Sequence, residues 1–319
     1  MLARLLAPAV AAISFAQVAV AAYPEKPVRI VVAYAPGGAV DVVARRLAQK
    51  LTEQTGQTFL VENKPGATGL IGTQQVVRSP ADGYTLLAID NTYSILPYAF
   101  KKLPWNHEQD LVPITVSIFT PVMLVVRADS KYKDLATLLA EARANPEKLT
   151  YGTGGAGSAP HFASEAFQQT AGVKLTHVPY KGAGDAVTGL ISGQIDMLLL
   201  STPSVASQIK GGKARALAVT GKKRLAAFPT VPTFDEAGVA GYGVVNWSGL
   251  AAPKGTPGDV IARLHAEVKK ALASPDMKEF VATMSGEAGD LDPAGFSRLI
   301  KDESGRWAGV AQKANIERQ

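Results

Sequence analysis

The chain has 319 residues, a formal net charge of +6 and no cysteine. The absence of cysteine excludes a disulfide scaffold, a thiol nucleophile and a lipid anchor, since the lipid would attach to cysteine. Stability must therefore come from a hydrophobic core, which a chain of this length can build. Lysine and arginine never exceed three in a row and have no interleaved aromatics, which favours a solvated surface over a nucleic-acid-binding face.

The first 22 residues carry one charged side chain, Arg4, followed by an apolar run that ends in small residues. The run is shorter than the about 20 apolar residues that a transmembrane helix needs, and Pro8 interrupts it. Ala19 and Ala21 have the spacing that leader peptidases prefer. The pattern predicts a cleaved secretory signal over 1–22; the alternative is an apolar N-terminal helix.

Apolar runs of strand length then alternate with helical patterns. The first series has three predicted strands, VRIVVAY, TFLVEN and YTLLAI. Two predicted helices separate them: the first has Val43, Leu47 and Leu51 on its apolar face, and the second lies near GLIGTQQVVRS. A second series has three predicted strands, LTYG, LTHVPY and DMLLL, separated by a helix through PHFASEAFQQTAG and a helix near DAVTGLISG. Strands that are apolar on both faces and alternate with helices predict parallel sheets covered by helices. The two series therefore predict two α/β lobes.

Between the two series, a strand runs into a helix through VMLVVRADSKYKDLATLLAEARANPEKL. After Gly221 the chain is rich in Pro and Gly, includes a short strand around VVNWSGL, and ends in helices. We expect these late helices to return to the first lobe, so that the chain crosses between lobes twice and forms a hinge. The predicted domains are a first lobe over 23–123, a second lobe over 124–245 and a return segment of the first lobe over 246–319.

The first strand ends in the corner APGG, directly before the first predicted helix. Helix N-termini present unpaired N–H groups and bind anions without a cationic side chain. Gly37 and Gly38 allow a ligand to approach the backbone closely. The alternative is an ordinary strand-to-helix turn, in which Asp41 balances the helix dipole or bonds to loop amides.

The second series repeats this corner in YGTGGAGSAPHF. Gly152, Gly154 and Gly157 match the dinucleotide fingerprint G-x-G-x-x-G. That fingerprint also requires an acidic residue near the end of the next strand, and none occurs before Asp185. A secreted α/β enzyme with a dinucleotide at Gly152 to Gly157 is therefore the alternative function, and a binding protein is favoured.

A third corner, AIDNTYSILP, supplies hydrogen-bonding side chains from Asn91 to Ser94. In open α/β sheets, ligands bind outside the carboxyl ends of the strands, where all three corners lie. The four histidines are far apart and lack zinc spacing, and no G-x-S-x-G elbow occurs. We therefore predict no catalytic residue, no metal site and no cofactor.

At these segments the sequence resembles the extracytoplasmic solute-binding proteins of tripartite tricarboxylate transporters, the Bug-type receptors. The resemblance covers the chain after the signal and rests on APGGAVDVVARRLAQKL, VENKPGATGLIGTQQV, LTYGTGGAGSAPHFASE, HVPYKGAGDAV, GQIDMLL and FPTVPTFDEAG, among others. It implies a two-lobed, type II-like periplasmic binding protein, each lobe a mixed, mainly parallel sheet flanked by helices. It also implies a monomer that binds a small organic carboxylate between the lobes, partly through water.

The implied partners are the large and small membrane subunits of such a transporter, with the receptor in the periplasm and free of nucleic acid. The first corner and the loop from Thr153 to Ser158 are implied to hold the carboxylate. The expected ligand-binding residues are Tyr34, Ala35, Pro36, Gly37, Gly38, Ala39, Asp41, Asn91, Thr92, Tyr93, Thr153, Gly154, Gly155, Ala156, Gly157, Ser158, His161, Tyr180, Ser201, Pro203 and Trp247.

Two departures from the family pattern bear on the ligand. The first corner often has a threonine before the aspartate, where this chain has Ala39-Val40, and the segment after GQIDM is the more apolar LLLSTPS. Both changes favour a less polar carboxylate, aliphatic or aromatic, over an amino acid or citrate.

Overall fold

The computed structural model describes residues 23–319, so the predicted secretory signal over 1–22 lies outside the described residues. The strands are β1 (Val28–Val32), β2 (Phe59–Asn63), β3 (Thr85–Asp90), β4 (Leu111–Arg127), β5 (Thr150–Thr153), β6 (Thr176–Pro179), β7 (Met197–Ser201), β8 (Ala214–Val219), β9 (Val245–Pro253) and β10 (Glu287–Ala288). The helices are α1 (Ala39–Thr55), α2 (Leu70–Val77), α3 (Asn91–Ala99), α4 (Leu135–Ala144), α5 (Ala159–Ala171), α6 (Ala183–Ile191), α7 (Thr202–Lys210), α8 (Gly258–Ala273), α9 (Pro275–Thr283) and α10 (Pro293–Lys313). A 3-10 turn, Ala67–Gly69, precedes α2.

The first sheet has the strand order β2-β1-β3-β9-β4. Strands β2, β1 and β3 are parallel, whereas β9 runs antiparallel to both β3 and β4. The two-residue strand β10 pairs with β4 at Ile118 and Phe119. Because the three parallel strands share one direction, the loops after β1, β2 and β3 meet at one edge of this sheet.

The second sheet repeats this arrangement with the order β4-β7-β5-β6. Strands β7, β5 and β6 are parallel, and both β7 and β8 run antiparallel to β4. The loops after β5, β6 and β7 therefore also meet at one edge.

Strand β4 belongs to both sheets. Its residues 111–121 pair with β9 in the first sheet, and its residues 122–126 pair with β7 in the second. The chain passes between the sheets a second time on the way from β8 to β9. These are two crossings, as the sequence predicts for a hinged pair of lobes.

Helix α1 shows why the first sheet is covered. Its buried residues include Val43, Leu47 and Leu51, which fall at helical spacing on one side, and its exposed side carries charged residues. Leu47 and Leu51 pack in one core with β1, which α8 joins through Leu264, whereas Val43 packs with Ile118 and Val281. The helix ends at Gly56, whose φ of +71° favours glycine and whose N–H donates to the carbonyl of Thr52.

Helix α10 contacts both halves of the molecule. Phe296, near its start, packs edge-on against Trp247 of β9, with ring centroids 5.1 Å apart. Trp307, in its second half, packs edge-on against Phe162 of α5, with ring centroids 6.0 Å apart. The long C-terminal helix therefore spans the two lobes, while α8 stays with the first.

The predicted fold class is confirmed: the protein is α/β, with two lobes that each have a mixed, mainly parallel sheet flanked by helices. The exact domain limits at 123 and 245 stay a prediction. Within residues 23–319, no helix is both long enough and apolar enough to cross a membrane.

Candidate ligand-binding cleft

A cleft of about 660 Å³ separates the two lobes. The loops that follow β1, β2, β3, β5, β6 and β7 all contribute to its walls, together with residues of β4 and β9. The cleft therefore lies at the carboxyl ends of the parallel strands of both sheets, where the topology of open α/β sheets places ligands.

The first corner is held in shape by Asp41. This buried carboxylate accepts hydrogen bonds from the Gly37 N–H (2.9 Å), the Arg45 Nε (3.0 Å) and the Asn63 Nδ2 (2.8 Å). Burial alone would raise the pKa of Asp41, but these three donors outweigh it and hold the pKa below its ordinary value. Asp41 is thus a structural anion whose bond to Gly37 fixes the loop.

The third corner provides the floor of the cleft. Asn91 is buried and accepts a hydrogen bond from the Trp247 N–H (2.7 Å), while its own amide donates to the Val245 carbonyl (3.0 Å). The Trp247 indole donates to the buried Glu303 of α10 (2.8 Å). Strand β9, α3 and α10 are therefore joined directly behind the ligand space.

Asp90 lies beside this floor and lines the cleft. Its Oδ1 accepts hydrogen bonds from the Tyr34 hydroxyl (2.7 Å) and the Thr92 N–H (3.1 Å). Burial raises the pKa of Asp90 to about 6, and the bonds from Tyr34 and Thr92 only partly oppose that rise.

The second corner folds over two stacked histidine rings. His161 and His177 lie 4.2 Å apart between ring centroids, and the Thr153 hydroxyl is 2.6 Å from the His177 Nε2. The Gly157 N–H donates to the His161 Nδ1 at 3.2 Å. Burial lowers the pKa of His161 to about 3, with a contribution from His177, and that of His177 to about 4, so both rings are neutral at pH 7. Through these two hydrogen bonds, the neutral histidine rings hold the loop in its conformation.

Within residues 23–319, five helices that begin at the cleft have first-turn N–H groups that donate to no side chain of the N-cap residue; the Ser201 hydroxyl lies instead 2.9 Å from that of Ser204. These N-caps are Gly38 of α1, Gly69 of α2, Ser158 of α5, Gly182 of α6 and Ser201 of α7, and all five line the cleft. A sixth helix that begins at the cleft, α3, is capped by Asp90, which accepts the Thr92 N–H at 3.1 Å. Away from the cleft, α4 and α10 are capped by Asp134 and Asp292, which accept N–H bonds of 2.8 and 2.6 Å, whereas α8 and α9 have no side-chain cap. The cleft therefore collects the positive ends of several helix dipoles with their first-turn amides unused by caps.

Thirteen of the predicted site residues line the cleft: Tyr34, Ala35, Pro36, Gly37, Gly38, Ala39, Asp41, Asn91, Thr92, Gly154, Ser158, Ser201 and Trp247. Eight others lie nearby but outside the lining: Tyr93, Thr153, Gly155, Ala156, Gly157, His161, Tyr180 and Pro203. Tyr93, for example, turns away, donates to the His107 carbonyl at 2.6 Å and stacks on the His107 ring. Binding by any of these residues stays a prediction.

Sequence reasoning missed other parts of the lining. Two of these parts contain Gly or Pro residues that indicate a turn in the sequence: the NKPGATG segment before α2 and the YKGAG segment before α6. Others lie within strands and give no such signal: Ile118, Thr120, Leu200, Asn246 and Ser248.

The dinucleotide alternative gains no support from this geometry. The Gly157 amide is used by His161, and β6, the next strand, ends at Pro179 with no acidic residue to hold a ribose. Within residues 23–319, no three His, Asp or Glu side chains are grouped closely enough to hold a metal ion.

A family model described as "Tripartite tricarboxylate transporter family receptor" matches residues 43–316. Protein BugT of Bordetella pertussis is 34% identical over 301 residues, which is 92% of this chain and 91% of BugT. Among solved structures, the periplasmic binding protein BugD is 34% identical with a TM-score of 0.84, and covers 93% of this chain and 100% of its own. The structure of R. palustris Rpa4515 with adipate is 31% identical with a TM-score of 0.87, and covers 93% of this chain and 100% of its own. The chain therefore belongs to the tripartite tricarboxylate transporter receptor family, whose members are periplasmic solute-binding proteins and not enzymes.

Proposed function

We propose that the protein captures a small organic carboxylate in the cleft and delivers it, in the periplasm, to the large and small membrane subunits of a tripartite tricarboxylate-type transporter. The observation that carries the proposal is the set of five helix N-termini that line one cleft without side-chain caps. Three of these N-caps are glycine, which costs a helix only about a few tenths of a kcal/mol relative to Ser, Thr, Asn or Asp and leaves the first-turn N–H groups open. An anion at these amides supplies the missing acceptor.

The rest of the lining favours a carboxylate with a carbon body. Val40, Val43, Ile118, Leu200 and Met284 contribute apolar side chains to the cleft. An inorganic oxyanion would leave this apolar surface in contact with water, whereas an aliphatic or aromatic acid would cover it. The adipate-bound relative has the same fold, and adipate is such an acid.

Membership of the family supports the proposed transporter and location. A receptor of this family that is exported by the predicted signal over 1–22 would meet its membrane subunits at the outer face of the inner membrane. We expect the receptor to act as a monomer.

The test is direct binding by the purified protein. Native mass spectrometry of fresh protein should reveal a co-purified small acid, and calorimetry should show binding of at least one acid from a panel of mono- and dicarboxylates and benzoate. The matched control is the neutral amide of the same skeleton, which we expect to bind at least tenfold more weakly, about 1.4 kcal/mol. Equal binding of acid and amide, or a panel with no binder and no co-purified acid, would refute the proposal.

A further inference from the structure

We propose that His161 and His177 are positioning residues: without contacting the ligand, the stacked pair holds the loop after β5 in the conformation that presents the N-terminus of α5 to the cleft, and thereby sets the affinity. Both histidines lie outside the cleft lining and come from different elements, α5 and β6. This inference deepens the proposed function and rests on it, because it assumes that the ligand binds at that helix end.

The loop from Gly154 to Ser158 has little intrinsic rigidity. Three of its five residues are glycine, and Gly155 and Gly157 have φ angles of +123° and +77°, which glycine adopts readily and other residues rarely do. Glycine also has more backbone freedom to lose on ordering than any other residue. Yet Gly154 and Ser158, at the two ends of the loop, line the cleft, and Ser158 is the N-cap of α5. Contacts outside the cleft must therefore order this loop before a ligand can bind to it tightly.

Two N–H groups of the loop are anchored through the histidine pair. The Gly157 N–H donates directly to the His161 Nδ1 at 3.2 Å. The Gly155 N–H donates to the Thr153 hydroxyl at 3.2 Å, and that hydroxyl lies 2.6 Å from the His177 Nε2. The two rings stack with an angle of 13° between their planes, so a shift of either ring would disturb both anchors.

The surroundings of His161 assign the nitrogen that carries its proton. The Glu165 Oε1 lies 4.0 Å from the His161 Nε2, and this carboxylate accepts hydrogen bonds from the Tyr151 hydroxyl and the Gln168 amide. A negative charge on that side favours a proton on Nε2, which leaves Nδ1 free to accept from Gly157. Burial lowers the pKa of His161 to about 3, so this acceptor is present at pH 7.

The anchors should affect binding more than folding. Opening of a loop is a local event that leaves the global free energy of unfolding nearly unchanged. When only a fraction of the molecules has the binding conformation, the apparent dissociation constant rises by the inverse of that fraction. Loss of the His161 acceptor would leave the buried Gly157 N–H without a partner, and the loop would have to move to satisfy it.

The experiment compares His161→Leu, which removes the acceptor, with His161→Asn, whose side-chain oxygen can replace Nδ1. Thr153→Val is a milder variant that removes only the Gly155 anchor. Affinities are measured by calorimetry with whichever of butyrate, succinate, adipate and benzoate the wild type binds most tightly. Amide hydrogen exchange is measured on the ligand-free proteins, and melting temperatures are recorded for all of them.

His107→Leu is the matched control. The His107 ring also stacks on an aromatic neighbour, Tyr93, with centroids 4.1 Å apart, but it lies outside the cleft lining. Its ring nitrogens have no hydrogen-bond partner among residues 23–319, so its removal frees no loop amide.

We expect His161→Leu to lose at least tenfold in affinity and to speed exchange of the Gly155 and Gly157 amides at least tenfold. His161→Asn should stay within threefold of the wild type in affinity and in exchange at Gly157. Thr153→Val should lose at least threefold in affinity, with faster exchange at Gly155. His107→Leu should leave the affinity and both exchange rates unchanged, whatever its effect on the melting temperature. Nitrogen NMR of the wild type at pH 7 should show a protonated Nε2 and an unprotonated Nδ1 for His161.

Several results would overturn the inference while the proposed function stands. These are an unchanged affinity in folded His161→Leu, equal losses in His161→Leu and His161→Asn, or a loss of affinity without faster exchange in the loop. If His161→Leu does not fold, an unchanged affinity in Thr153→Val overturns the inference instead. A wild type that binds none of the four acids, with no co-purified acid, would remove the proposed function and this inference with it.

Discussion

Asp90 places a carboxyl group in the wall of a cleft proposed to hold an anion. Its bonding partners, the Tyr34 hydroxyl and the Thr92 N–H, are neutral. Burial raises its pKa to about 6, so the group changes charge within the range in which bacteria live. Because the folded state holds this proton more tightly than the unfolded chain, the stability contributed by Asp90 is lost as pH rises from its ordinary value through about 6.

The same group should make ligand binding depend on pH. A ligand carboxylate near Asp90 repels its charged form, so binding favours the protonated form and takes up a proton. We therefore expect affinity to fall as pH rises from 6 to 8, and calorimetry in buffers of different ionisation enthalpy to show proton uptake. Asp41 stays charged throughout, because its pKa is lowered.

Asp90→Asn is the control for this prediction, since asparagine keeps an acceptor for Tyr34 without the titration. The variant should bind with an affinity that is nearly independent of pH between 6 and 8. A wild-type affinity that increases with pH, or an equal pH dependence in the variant, would show that Asp90 does not face the ligand.

At the scale of single elements, the N-terminus of α1 offers a clean test of anion binding by helix amides. Gly38 is the N-cap, with an extended φ of −72° and ψ of 165°, and an added Cβ would meet only the Ala35 carbonyl at 3.9 Å. Aspartate therefore fits there without strain and can accept the free amides of the first turn.

We predict that Gly38→Asp keeps or slightly raises the melting temperature and lowers affinity for the acid by at least tenfold. The new carboxylate would cap α1 and occupy the amides that the ligand needs. Gly38→Ala adds the same Cβ without the charge and should lose less than threefold. If Gly38→Asp binds as the wild type does, the N-terminus of α1 is not part of the anion site.

The elements themselves were predictable because their patterns are local. Val43, Leu47 and Leu51 are spaced for one face of a helix, and that face is the buried one. The orientation of loop atoms is not local. Gly157 lies in a loop that was predicted to bind the ligand, but its N–H donates to His161 instead of facing the cleft. His161 in turn stacks on His177, which belongs to β6.

The pairing of strands that are distant in sequence also determines which loops line the cleft. The sequence marks the corners after β2 and β6 with Gly and Pro, yet it does not show that both strands end at the same cleft as APGG. That convergence depends on the strand order, in which β2 and β6 form the outer margins. The presence of Lys181 among the lining residues depends on that convergence of strands.

For the whole molecule, the two chain crossings between the sheets predict closure around the ligand. A ligand that contacts both lobes binds the closed form preferentially and shifts the population toward it. Small-angle scattering should therefore show a smaller radius of gyration at saturation with a stabilising acid. At about 100 times the dissociation constant, the acid should raise the free energy of unfolding by about 2.7 kcal/mol.

The matched control is the neutral amide of the same skeleton at equal concentration, which, if it binds tenfold more weakly, should raise the free energy of unfolding by only about 1.4 kcal/mol and compact the molecule less. Helix α10 contacts both lobes through Phe296 and Trp307, so it must bend or slide during closure. Stabilisation by the acid without compaction would mean that the lobes are already closed or do not move.

The uncapped helix ends have a consequence for how such a receptor can change over evolutionary time. Backbone N–H groups belong to every residue except proline, so point mutations rarely delete an anion site built from them. Side chains such as Val40, Leu200 and Lys181 can then vary and recognise a different carbon skeleton while the grip on the acid persists. Such a receptor can change its ligand specificity by substitution of side chains that line the cleft, while backbone amides continue to bind the carboxylate.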